Sequence, residues 1–228
     1  MAFLNYILSK VDRLNAEFQA QDFKLHTLYS SISNEYRSIL AMFIHDKVVR
    51  ETPLDEIDPN DVKLYKPLND IHLGGRCTVL CTQQSLGSQE QRFRNDCRNF
   101  LVELCDQIKK RFSFKSDGVL ALLSAVNPSE ALSSRRSLNS IAVLAHHFPS
   151  LVSEDQLDEL DVQWRQLLYA TDSLKGMTNS PTQFWDEIRA IKEGNGSKKF
   201  ELLGNFMCNL LVLPHSSACV ERIFPKLT

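Results

Sequence analysis

An all-α fold, a multi-helix bundle, is predicted by three observations. Apolar residues recur at i, i+3, i+4 and i+7 through most of the chain, with no convincing period-two alternation. Helix-starting pairs such as Ser-Pro or Ser with Gln three residues on stand at the heads of several of these stripes. Glycine and proline are sparse, eight of each in 228 residues, too few for a many-turned β-sandwich.

The first stripe is Leu4, Ile7, Leu8, Val11, Leu14 and Phe18; the second is Leu25, Leu28, Tyr29, Ile32, Tyr36, Ile39, Leu40 and Phe43. The join at about Ala20–Phe23 is short enough to make them an antiparallel pair. Residues 49–88 then change character, with Thr52-Pro53, Asp58-Pro59, Lys66-Pro67 and Gly74-Gly75, and read as a long polar loop holding one or two short turns. Beyond it, Ser88 with Gln91, Asn127-Pro128-Ser129-Glu130, Ser153 with Gln156, and Ser180-Pro181-Thr182-Gln183 each open a helix. The faces that follow are Phe93, Phe100, Leu101, Leu104 and Ile108, then Leu157, Leu160, Trp164, Leu167 and Leu168, then Phe184, Trp185, Ile188 and Ile191. Glu193-Gly194-Asn195-Gly196-Ser197 is expected to end that last helix, and Phe200, Leu203, Phe206, Met207, Leu210 and Leu211 form the final stripe before Pro214. The sum is eight or nine helices, with a boundary near Ser150–Glu154 dividing a domain of residues 1–150 from one of 151–228.

Composition narrows the function classes. Lys and Arg number 26 against 28 Asp and Glu, a formal charge of -2 with 43% hydrophobic residues, so a wholly disordered chain is excluded and no basic field gathers nucleic acid. Lys109-Lys110-Arg111 and Arg135-Arg136 read as solvated helix faces, too short for a phosphate track. No apolar run is long enough to span a bilayer, and Met1–Leu8 lacks the flanks of a signal peptide. The expectation is an intracellular protein, nuclear or cytoplasmic, with no membrane partner. The six cysteines, Cys77, Cys81, Cys97, Cys105, Cys208 and Cys219, read as reduced thiols.

Sites for chemistry are sparse. His72, Cys77 and Cys81 alone fall short of the four ligands of structural zinc. Cys97 and Cys105, two turns apart, could add one, but these cysteines read as small buried thiols, so no metal and no cofactor is expected. His146-His147 reads as a packed or solvated pair. There is no G-x-S-x-G elbow, P-loop or dinucleotide fingerprint. The acids Glu154, Asp155, Asp158, Glu159 and Asp161 suit the start of a helix, whose dipole favours negative charge.

The most specific segment is Leu210-Leu211-Val212-Leu213-Pro214-His215-Ser216-Ser217-Ala218-Cys219-Val220-Glu221-Arg222-Ile223-Phe224. Read from the residues, it is an apolar helix stopped by proline, two hydroxyl caps, and a short helix with an acid–base pair. It resembles the C-terminal signature of hAT-superfamily transposases, matched by Pro214, Ser216, Ser217, Glu221, Arg222 and Phe224. Phe184-Trp185 and the Phe200–Leu211 stripe are similar to the start of that family's C-terminal dimerisation region, and Phe3–Phe43 to its helical insertion domain.

The resemblance implies a fold of insertion-type helices followed by a short C-terminal dimerisation region. It makes Glu221 the counterpart of the third of three metal-binding acids in a ribonuclease-H-like nuclease core. The first two have no counterpart in this sequence, and one carboxylate cannot hold two metals, so Glu221 is a vestige and no enzyme activity is expected. Pro225 departs from the family pattern and should end the Glu-Arg helix, leaving the dimerisation region truncated. What remains is protein association, with itself or a related hAT-type protein. Phe184, Trp185, Phe200, Leu203, Phe206, Leu210 and Leu211 are either its contact residues or intramolecular core. The alternatives are a segment that lends Glu221 to a longer transposase, and a weak nucleic-acid-binding remnant.

Overall fold

The computed structural model describes residues 1–18, 25–83, 88–133, 140–170 and 180–213. Among them are eleven α-helices, four short 3-10 turns and no strand, which establishes the all-α class. Extended pairing is confined there to two isolated bridges, Ile44 with Tyr65 and Lys192 with Lys198. No described helix is long and apolar enough to cross a membrane. The chain divides into two compact units, Met1–Glu17 with Ser30–Lys115, and Phe18–Tyr29 with Ser116–Thr228. The boundary expected near residue 150 lies inside the second unit, because the helix Ser140–His146 packs on Leu157–Leu167 across it.

The first unit contains most of α1 (Ala2–Phe18) and α2 (Leu25–Leu40), with α3 (Asp46–Glu51), α4 (Gly75–Gln83) and α5 (Ser88–Arg111). On α2 the expected stripe is core: Ile32, Tyr36, Ile39, Leu40 and the following Phe43 are all buried. On α1 it is not. Phe3 and Ile7 are buried, whereas Leu4 and Leu8 are exposed. The face turned inward runs through Lys10, a position that a hydrophobic wheel assigns to solvent. Its ammonium donates to Glu35 Oε1 at 2.9 Å and Ser38 Oγ at 2.9 Å, and Arg13 donates to Glu35 Oε2 at 2.7 Å. Residues 10 and 13 meet 38 and 35 in opposite chain order, as an antiparallel pair requires. α5 is similarly rotated: Cys97, Leu101 and Cys105 are buried while Phe100 is exposed, its ring edge-on to Phe3.

Of the long polar loop expected over residues 49–88, the described part, 49–83, is not one. Leu54, Ile57, Ile71 and Leu73 are buried anchors at irregular spacing, which periodicity does not register. The backbone is fastened at both flanks. Lys66 N donates to Phe43 O at 2.7 Å and His72 N to Met42 O at 2.9 Å. From α5, Lys109 Nζ donates to Ile57 O at 2.6 Å and Arg94 to Asn69 O at 3.3 Å. Gly74 ends this run at φ +84°, and a Cβ there would meet the Tyr6 ring at 2.6 Å, so only glycine fits.

The second unit contains α6 (Val119–Leu122), α7 (Pro128–Ala131), α8 (Ser140–His146), α9 (Leu157–Leu167), α10 (Pro181–Ala190) and α11 (Glu201–Leu211). Its caps follow the sequence. Asn127 Oδ1 accepts from Ser129 N at 3.0 Å, with Pro128 in the first turn, and Ser180 Oγ accepts from Gln183 N at 3.4 Å. Ser153 N and Oγ both meet Gln156 Oε1, at 3.2 and 2.9 Å, in a 3-10 turn leading into α9. The Gly-rich run departs from expectation. α10 already stops at Ala190, and Glu193–Ser197 instead forms a tight turn, with Gly196 at φ +87°, inside the bridge from Lys192 to Lys198.

Candidate functional site

The residues expected to mediate association lie on α10 and α11. Pro181 and the Ser180 cap start α10 and direct Phe184, Trp185 and Ile188 inward, where each is fully buried. α11 lies against α10 and α9. The close approach to α10 is set by Gly204, where a Cβ would meet the Arg189 Cβ at 2.6 Å. Phe200, Leu203, Phe206, Met207 and Leu210 are at most 1% exposed, and Leu211 is 6% exposed.

All seven candidates, Phe184, Trp185, Phe200, Leu203, Phe206, Leu210 and Leu211, are therefore core within the chain. Of the two readings their pattern allowed, they take the intramolecular one. They are closed off by their own neighbours, because α9 brings Leu160, Trp164 and Leu167 to the same core.

Two polar stitches hold this core. Trp185 Nε1 donates to Val126 O at 2.7 Å, satisfying both an indole and a carbonyl at the end of the 3-10 turn Leu123–Val126. Gln163 on α9 is buried, and its Oε1 accepts from Leu203 N at 2.9 Å. Leu203 is in the first turn of α11, and Phe200 at the head of that helix supplies no side-chain cap. Gln163 thus caps α11 from a different helix, satisfying an N–H that the helix cannot pair itself. The sequence reading missed Gln163; its only signal is a long amide on the inward side of Leu160, Trp164 and Leu167.

Large apolar side chains left open on this unit are Val143 on α8, Val162 on α9, Tyr169 just beyond it, and Val212 after α11. Tyr169 is 89% exposed and Val212 78%. The signature residues Pro214, Ser216, Ser217, Glu221, Arg222 and Phe224 lie outside the described residues, as do Arg135, Arg136 and Cys219.

Elsewhere, several of the polar groups singled out in the sequence are occupied by structural partners. His72 is exposed and its Nε2 lies 3.2 Å from the Tyr6 hydroxyl. Lys10 and Ser38 are in contact, but Lys10 pairs with the Glu35 carboxylate and donates to both, which makes an ion-pair network and not a nucleophile with its base. His146 and His147 are exposed. Glu154 and Asp155 open the 3-10 turn before α9, Asp158 and Glu159 occupy its first turn, and Asp161 pairs with Arg165 at 2.6 Å. Lys109, Lys110 and Arg111 close α5, where the helix dipole favours them, and Lys110 pairs with Asp106.

A recess of about 310 Å³ in the first unit is lined by Asn34, Arg37, Ser38, Ala41, Asp46, Val49 and Arg50. Two of its charged residues are engaged in the fold: Arg37 donates to Val49 O, and Asp46 accepts from Lys66 at 2.9 Å. Among the described residues no three His, Cys, Asp or Glu side chains are grouped to enclose a metal ion. No family model, curated protein or solved structure matches the chain.

Proposed function

We propose that the chain is a transposase-derived association module of the hAT type, without nuclease activity of its own. The observation that carries this reading is the run Pro214, Ser216, Ser217, Glu221, Arg222 and Phe224 in the sequence. The helical architecture is compatible with it, and α11 ends at Leu211, three residues ahead of that run. The buried positions of α10 and α11 act as scaffold in this reading, and association falls to apolar surface they leave open, represented by Tyr169 and Val212. Nuclease activity is not proposed, because Glu221 alone cannot hold the two metals that such cleavage uses.

Light scattering of the purified chain over a dilution series tests the association. A mass that falls toward the monomer on dilution, with Val212→Asp or Tyr169→Asp moving the transition to higher concentration, supports it. A monomer at every concentration overturns it. Duplex nicking by the chain in magnesium would overturn the inactive reading.

A further inference from the structure

The first unit holds a pair of thiols that the proposed function does not use. Cys77 and Cys81 stand one turn apart on α4, at the i, i+4 spacing that brings Cβ atoms to about 5–6 Å. Both are buried, yet both line a recess of about 160 Å³ that is open to solvent, walled by Phe3, Leu80 and Phe93 with Met1 and Ala2 at its edge. Cys97, one turn after Phe93 on α5, is also buried.

We propose that Cys77 and Cys81 form a two-coordinate site for a soft d10 cation, copper(I). Thiolate ligands select copper(I) over harder ions. A two-coordinate ion needs no more than this pair, whereas tetrahedral zinc needs four ligands, and no described group of three or more metal-binding side chains exists. A Cys77–Cys81 disulfide is the competing use of the pair. The i, i+4 separation is wider than the roughly 3.5–4.5 Å between Cβ atoms that a disulfide requires, so metal bridging suits the geometry better. The open mouth of the recess gives the ion a path in.

Binding replaces two S–H bonds with two S–Cu bonds, releases two protons to solvent and transfers no electron. The resulting site has one net negative charge. Arg94, its guanidinium side chain 12% exposed, favours the charged forms of Cys77 and Cys97, although burial dominates and holds both thiols above their ordinary range, Cys97 at about 12.

The test is an anaerobic titration of the reduced full chain with copper(I) held by bathocuproine disulfonate, whose absorbance reports copper withdrawn. One equivalent per chain is expected, with an X-ray absorption shell of sulfur alone. Cys77→Ser and Cys81→Ser should each weaken uptake by roughly tenfold or more, the loss of one strong ligand. Cys105→Ser and Cys208→Ser should leave it unchanged. No withdrawal of copper, a shell of nitrogen or oxygen, or undiminished uptake by the Cys77→Ser/Cys81→Ser double variant would overturn the proposal. The absorption measurement uses the unaltered protein, so a variant that misfolds does not protect the idea.

Discussion

In the second unit, α9, α10 and α11 bury the residues that a helical wheel selects, whereas in the first unit α1 and α5 turn a different face inward. Trp164, Trp185, Phe206 and Leu210 are large, apolar and regularly spaced, so their burial dominates the orientation of their helices. On α1 and α5 the inward positions include Lys10, Cys97 and Cys105, which are charged or small, while Leu4, Leu8 and Phe100 remain exposed. Orientation there is decided by polar pairing: Glu35 draws Lys10 and Arg13, and Arg94 and Lys109 reach backbone carbonyls of residues 57–69. A core built of volume advertises itself in sequence; a core closed by ion pairs does not.

The comparison is sharpened by the placement of the two tryptophans of the sequence, Trp164 and Trp185, both in the second unit. Their fluorescence reads that unit, and amide hydrogen exchange in α2 and α5 reads the first. Trp185→Ala should have the largest effect. It empties a fully buried site and removes the bond to Val126 O, a loss of about 3–5 kcal/mol in urea unfolding followed through Trp164. Exchange in α5 should not change. Equal acceleration in both units would show that the two cores unfold as one and would break the contrast.

Glu35→Ala comes next. It strands the Lys10 ammonium, whose side chain is 13% exposed, without its carboxylate. The cost is about 2–4 kcal/mol, below the range for a wholly buried pair because some solvent reaches Lys10. Exchange in α2 should accelerate while the tryptophan transition stays in place. Replacing both partners, Lys10→Met with Glu35→Leu, should restore stability to within about 1 kcal/mol of the parent, since two apolar groups leave no charge stranded. A double variant as weak as Glu35→Ala would mean that the site needs the charges for packing and not merely for mutual neutralisation.

Gln163→Leu isolates the polar contact that Gln163 of α9 makes with the head of α11. The apolar side chain leaves Leu203 N–H buried and unpaired, at about 1–3 kcal/mol, with faster exchange confined to the first turn of α11.

The same residues show what was legible. The helical class, the Asn127 and Ser180 caps and the inward faces of α9 to α11 follow from spacing and local chemistry within a few residues. Gln163, Lys10 and the clamped segment 49–83 do not, because their roles depend on partners 22 to 66 positions away, such as Lys10 with Glu35 and Tyr6 with His72, that no local window contains. The candidate association residues were legible as a stripe, but a stripe does not say which surface covers it; α9 does. The Glu193–Ser197 run was legible as a turn, and its misplacement at a helix end reflects Ile191, whose extended backbone stops α10 three residues before Gly194.

The smallest effect concerns acid. Asp46 is held below its ordinary carboxyl range mainly by the hydrogen bond from Lys66, and Asp106 by that from Lys110. A carboxyl depressed in the folded state binds its proton more readily when unfolded. Its contribution is therefore complete above the ordinary carboxylate range and is lost as pH falls through the folded value. Lys66 is mostly shielded, but the Asp46 side chain is 61% exposed, so solvent screening limits that pair to under about 1 kcal/mol. Both acids belong to the first unit, so acid titration should loosen α3 and the end of α5 before it moves the tryptophan signal of the second. Asp46→Asn and Asp106→Asn should flatten the acid limb of stability seen by exchange in the first unit and leave the neutral plateau slightly lowered. An acid limb unchanged in the Asp46→Asn/Asp106→Asn variant would show that these two carboxylates do not set the acid sensitivity of this unit.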